Sequence, residues 1–123
     1  MSFLLALLAL QSAPTQVVPA AGDIGVIANK LRGFRSEWRL HKGKFTCKTK
    51  TSTGEKAIDA IGCKAIETCI SPIAPQIQTI ADSNLGRATK DRSINALMQS
   101  AMPCMDQTRH DGIAALAAQR AGG

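Results

Sequence analysis

The chain has no tyrosine, one tryptophan and three phenylalanines, so aromatic residues make up 3% of its 123 residues. Leaving Phe3 aside, they all fall in one short segment, at Phe34, Trp38 and Phe45. No apolar run reaches bilayer-spanning length. The stretch from Phe3 to Leu10 falls well short of the roughly 20 residues that cross a membrane as a helix, and Pro14 and Pro19 would interrupt a longer one. Missing too are the closely spaced Cys-x-x-Cys or His-x-x-x-His pairs that zinc favours, and His41 and His110 stand far apart. There is no Gly-x-Ser-x-Gly elbow, no His-Glu-x-x-His helix and no phosphate-binding glycine loop. Nor is there an internal repeat or a low-complexity tract. These absences argue against an enzyme, and they leave no residues for a cofactor, a metal or an identifiable small-molecule substrate.

What the chain does have is four cysteines behind an apolar leader. Residues 1–21 have the outline of a signal peptide, with small residues at Ala13 and again at Pro19-Ala20-Ala21-Gly22. The proline after Ala13 disfavours cleavage there, so the expected site lies near Ala21. The competing reading is a retained N-terminal helix or anchor. Residues 22–123 then form a single small exported domain, periplasmic or extracellular, of about 100 residues, too few for two cores. In such a chain Cys47, Cys63, Cys69 and Cys104 are expected to oxidise to disulfides.

Charge is divided unevenly. Lys30, Arg32, Arg35, Arg39, Lys42, Lys44, Lys48 and Lys50 face only Glu37 between positions 30 and 50, whereas residues 51–123 carry seven bases and seven acids. The net charge of +6 therefore comes from one segment. A basic stripe of this kind tracks phosphates in nucleic-acid binders, but an exported protein rarely meets nucleic acid. The expected partner is an envelope protein or an anionic surface, lipid headgroup or polysaccharide. Arg35, Arg39, Lys48 and Lys50 are the residues expected to engage it. A face that merely keeps the domain soluble and its edge unpaired is the competing account.

The same segment alternates with period two. Phe34, Ser36, Trp38 and Leu40 interleave with Arg35, Glu37, Arg39 and His41; after Lys42-Gly43, Phe45, Cys47, Thr49 and Thr51 interleave with Lys44, Thr46, Lys48 and Lys50. This predicts a β-hairpin with a two-residue turn. Pairing Leu40 with Phe45 sets Trp38 opposite Cys47 and Phe34 opposite Thr51, with the apolar residues of both strands on one face. The following helix is the natural cover. It is expected to open at Ser52-Thr53-Gly54-Glu55 through a capping box between Ser52 and Glu55. Its apolar stripe is Ile58, Ile61, Gly62, Ala65, Ile66 and Cys69, and Ser71-Pro72 ends it. Gly62 inside that stripe marks a close approach to the hairpin.

The run from Cys47 through Ser52-Thr53-Gly54-Glu55 and Ile58-Asp59 to Cys63 resembles the strand-to-helix piece of TonB-family C-terminal domains. In that family a Ser-Ser-Gly or Ser-Thr-Gly turn precedes a Leu-Asp or Ile-Asp pair that opens the helix, and Asp59 matches the acid. The likeness covers about residues 34–69. It implies a shared α/β unit and a protein-interaction module, for which strand addition to a partner's sheet is the expected mode.

Beyond Pro75 the signals are helical. Ile73, Ile77, Ile80 and Ala81 form one stripe that is expected to stop at Gly86 in a left-handed cap. Ile94, Leu97, Met98 and Ala101 form another, starting near Thr89 or Asp91 and ending near Pro103. Ile113, Leu116 and Ala117 follow a cap at Asp111, in an Ala-rich stretch expected to pack weakly or fray. Met98, Met102 and Met105 are read as helical core rather than a copper site, and His110-Asp111 near Ser100 as surface residues rather than a hydrolytic dyad. The fold class is α+β: an antiparallel hairpin or small sheet packed on one helix, two or three short helices after it, and disulfide staples. Cys63 and Cys69 would share a helix with about 9 Å of rise between them, beyond the roughly 4.4–6.8 Å that a disulfide spans. Two connectivities remain. The turn at Ser52-Thr53-Gly54 folds Cys47 toward Cys63, which favours Cys47–Cys63 with Cys69–Cys104 over the crossed pairing of Cys47 with Cys69.

Overall fold

The structure, a computed structural model, describes residues 21–122, so the signal-peptide reading of residues 1–21 falls almost wholly outside it. The hairpin forms as the alternation predicts. Strands β1 (Arg35–His41) and β2 (Lys44–Thr51) pair antiparallel, with Leu40 opposite Phe45 and Trp38 opposite Cys47. Both turn residues take positive φ, Lys42 at 51° and Gly43 at 77°, which matches the right-handed twist of the flanking strands. The register differs from expectation at the open end. A bulge between Arg35 and Ser36 sets Arg35, not Phe34, opposite Thr51, because Phe34 leaves the ladder to pack inward. Along β1 and the first half of β2, half-buried and exposed residues alternate, and Trp38 stacks on Phe45 with ring centroids 5.5 Å apart.

Helix α2 (Lys56–Cys69) lies under this face and buries Ile58, Ile61, Gly62, Ala65 and Cys69. The expected close approach is at Gly62, where a β-carbon would come within 2.3 Å of the Phe34 ring. The expected capping box is not made. Glu55 occupies the cap position without a side-chain hydrogen bond to the helix, and Asp59 takes over the turn instead. The Thr53 amide and hydroxyl donate to its Oδ1 at 2.8 and 2.7 Å, the Ser52 hydroxyl donates to Oδ2, and the Gly54 amide donates to Ser52 Oγ at 2.9 Å. A carboxylate in the first turn also favours the helix dipole. Glu55 is left free to pair elsewhere.

The helix before the hairpin was not anticipated. Helix α1 (Ala21–Leu31) carries Asp23 in its first turn and Lys30 in its last, and buries Ile27 completely. After α2, a 3-10 turn at Ser71–Ile73 leads into α3 (Ala74–Ala81). That helix ends before Gly86, whose φ of −63° and ψ of 155° make it the cap residue of α4 (Arg87–Ser100), not a left-handed end of α3. Helix α4 accordingly starts ahead of Thr89 and Asp91. Pro103 falls at the start of α5 (Met102–Gly122), which runs straight through Asp111. The Ala-rich stretch is not loosely held, since Ala117 is fully buried.

Two apolar clusters result. One joins Ala65, Cys69, Ile70, Ile77, Ala101 and Met105, with Trp38, Phe45 and Met98 packed on it; the other joins Ile27, Leu31, Ile58, Ile61 and Ala117, with Phe34 packed on it. Met102 is exposed, so the three methionines do not converge. The fold is α+β and disulfide-stapled. Cys47 is bonded to Cys63 and Cys69 to Cys104, each with Cα atoms 5.7 Å apart. The first bridge holds the hairpin on α2, and the second holds the start of α5 on the end of α2. A charged clasp closes the other end. Glu55 pairs with Lys30 at 2.6 Å and with Arg120, which brings an acid at the N-terminus of α2 to bases in the last turns of α1 and α5, all three placements favoured by helix dipoles. The Lys30 hydrogen bond, helped by Arg120, holds the Glu55 carboxyl below its usual range, against a smaller opposing effect of desolvation.

Candidate functional site

The solvent face of the hairpin is the outcome of its alternation. With Trp38, Leu40, Phe45 and Cys47 half-buried on the other face, Arg35, Glu37, Arg39, His41, Lys44, Thr46, Lys48 and Lys50 are all exposed. The structure brings two of the four expected binding residues together. Arg39 faces Thr46 and Lys48 faces Glu37 across the strands, so Arg39 and Lys48 lie on a diagonal, a separation of about 7–8 Å between Cα atoms in such a ladder. These four residues line a shallow depression of about 160 Å³. Glu37 is the one acid on the face, and it makes no ion pair within 4 Å among the described residues.

Arg35 and Lys50 are not part of this pairing. Arg35 turns toward α1, where its Nη1 donates to the carbonyls of Arg32 and Phe34 at 2.9 Å each. Lys50 lies at the bulge and has no opposite residue in the ladder. Alternation alone puts all four on one surface, whereas the bulge and the carbonyls of Arg32 and Phe34 set Lys50 and Arg35 apart from Arg39 and Lys48. Lys44 extends the exposed charge toward the turn, and its signal was already present in the alternation.

Other features of the surface have plainer accounts. Ser100 donates to the Leu97 carbonyl at 2.6 Å, while His110 and Asp111 sit exposed with Nδ1 and Oδ1 3.7 Å apart. Among the described residues no three His, Cys, Asp or Glu side chains are grouped to hold a metal, and no helix is long and apolar enough to cross a membrane. A groove of about 720 Å³ runs between α3 and α4 along Pro75, Thr79, Ile80, Ala96 and Leu97 and has no charged residue in its lining.

Comparison with protein-family models, curated proteins and solved structures finds no match for this chain.

Proposed function

We propose that this is an exported, non-catalytic binding protein of the periplasm or extracellular space, whose hairpin face engages an anionic partner, either an envelope protein or an acidic lipid or polysaccharide surface. The observation that carries the reading is the diagonal placement of Arg39 and Lys48 on an exposed strand face clamped to α2 by the Cys47–Cys63 bridge. A clamped face presents its charges without having to be ordered on binding, so less conformational entropy opposes association. The two disulfides support an oxidising compartment.

The test is retention of the mature protein on an anionic matrix and on anionic vesicles as salt is raised. Retention should fall steeply as the Debye length shrinks below about 10 Å. R39E/K48E should elute at much lower salt with an unchanged circular dichroism spectrum. Equal retention of variant and parent would mean that the face serves solubility alone.

A second reading rests on a different observation. Among the described residues the sheet has two strands, each with an unpaired outer edge there, which is what a TonB-like module acting by strand addition uses. Backbone pairing of that kind persists at high salt, so a complex unmoved by salt would favour it.

A further inference from the structure

A groove beside the open end of the hairpin runs between α1 and α5. Its first part, about 290 Å³, has Leu31, Phe34 and Ile113 as its apolar floor, with Arg32, Arg35 and Arg109 around them. Its second part, about 250 Å³, is lined by Ile24 and Ala114 and is bordered by Asp106 and His110. Ala28, Arg109 and Ile113 line both parts, so the two adjoin. Arg32 and Arg35 thus stand at one end of the trough, and Arg109 where its two parts meet. Among the described residues Arg32 and Arg35 pair with no carboxylate, and Arg109 reaches Asp106 only at 3.9 Å. Arg35 is held at the mouth by the Arg32 and Phe34 carbonyls, which leaves Arg32 and Arg109 with their hydrogen-bond donors free for a ligand.

We infer that this groove binds a single-chain fatty acid, its carboxylate on Arg32 and Arg109 and its chain along Phe34, Ile113 and Ile24. Guanidinium groups match a carboxylate in shape and charge, and an apolar channel leading away from them suits an acyl chain. Ile24 stays 37% exposed at the far end, so a bound chain would cover apolar surface that is otherwise in water. The site shares no residue with the Arg39–Lys48 pair.

The experiment titrates the disulfide-intact protein with palmitate below its micelle concentration, followed by calorimetry, with hexadecanol as the uncharged equivalent. Saturable one-to-one binding of palmitate, much tighter than of hexadecanol, is expected. R32E/R109E should weaken palmitate at least about tenfold, the loss of one or more charge-assisted hydrogen bonds, while R39E/K48E leaves it unchanged. Should R32E/R109E fail to fold, Ile24→Gln at the exposed far end should weaken palmitate but not butyrate. Equal binding of hexadecanol and palmitate would overturn the inference, as would palmitate affinity unmoved in R32E/R109E or Ile24→Gln. Association with anionic vesicles but not with monomeric palmitate would overturn it as well.

Discussion

Gly62 shows how two effects of known size oppose each other at one position. Replacing a helical glycine with alanine ordinarily stabilises by about 1 kcal/mol. Here the new methyl would fall 2.3 Å from the Phe34 ring, and overpacking of that kind costs about 1–3 kcal/mol. Gly62→Ala should therefore lower the urea midpoint, and adding Phe34→Leu should recover part of the loss. Glycine inside an apolar stripe signalled this contact in the sequence, because nothing else accounts for a poor helix former there. The acid that closes the turn was less legible: Ser52 and Glu55 have capping-box spacing, and only the folded geometry shows Asp59 collecting the donors. Its carboxyl is held below the usual range, chiefly by the Ser52 hydroxyl and then by the Thr53 amide and hydroxyl, against some desolvation. For both Asp59 and Glu55 the folded state binds its proton less readily than the unfolded state. Their stabilisation is thus present above the ordinary carboxylate range of about pH 4 and is lost as pH falls through the lowered folded values. Urea midpoints measured from pH 7 down to about 2 should decline less in the double variant Glu55→Gln/Asp59→Asn than in the parent.

Among the elements, the hairpin and α2 could be read because alternation, a glycine turn and a 3.6-residue stripe each specify one structure. No element is assigned from the sequence between the leader and the hairpin, although Ile24, Ile27 and Leu31 have the helical spacing that α1 uses. From the sequence, α5 is divided by Pro103 and by a cap expected at Asp111, whereas Pro103 lies in the first turn of a helix that runs through Asp111, and Gly112 sits where Ile61 of α2 approaches, within 2.9 Å of where a β-carbon would be. The four expected binding residues were legible as bases of one hairpin, but their division was not, because a bulge leaves little trace in the sequence. Helix α4 has no fully buried residue and rests on the core through half-buried Ile94, Leu97 and Met98, while α3 buries Ala74 and Ile77; the Cys69–Cys104 bridge joins the ends of this segment across 35 residues. Loop-closure entropy assigns such a bridge about 4 kcal/mol, against about 3 for Cys47–Cys63. Cys69→Ala/Cys104→Ser should destabilise by roughly that amount, and amide exchange should quicken most in α3 and α4. Uniform quickening would show that the segment is held by packing instead.

On the scale of the whole molecule, α2 and α5 each supply residues to both apolar clusters, which makes two small cores into one cooperative unit. Ile27 belongs to one cluster, Ile77 to the other, and Trp38 packs on the cluster of Ile77. Ile27→Ala should cost about 2–5 kcal/mol and should shift the Trp38 fluorescence transition together with the far-ultraviolet signal. A fluorescence transition left in place would mean that the clusters melt separately. The bridges bear on how such a unit is assembled. Each joins cysteines that are consecutive along the chain, Cys47 to Cys63 and then Cys69 to Cys104. A polypeptide delivered N-terminus first into an oxidising compartment, with thiols joining in order of arrival, would reach this connectivity with no bond to undo, so its maturation would call for an oxidase and not an isomerase.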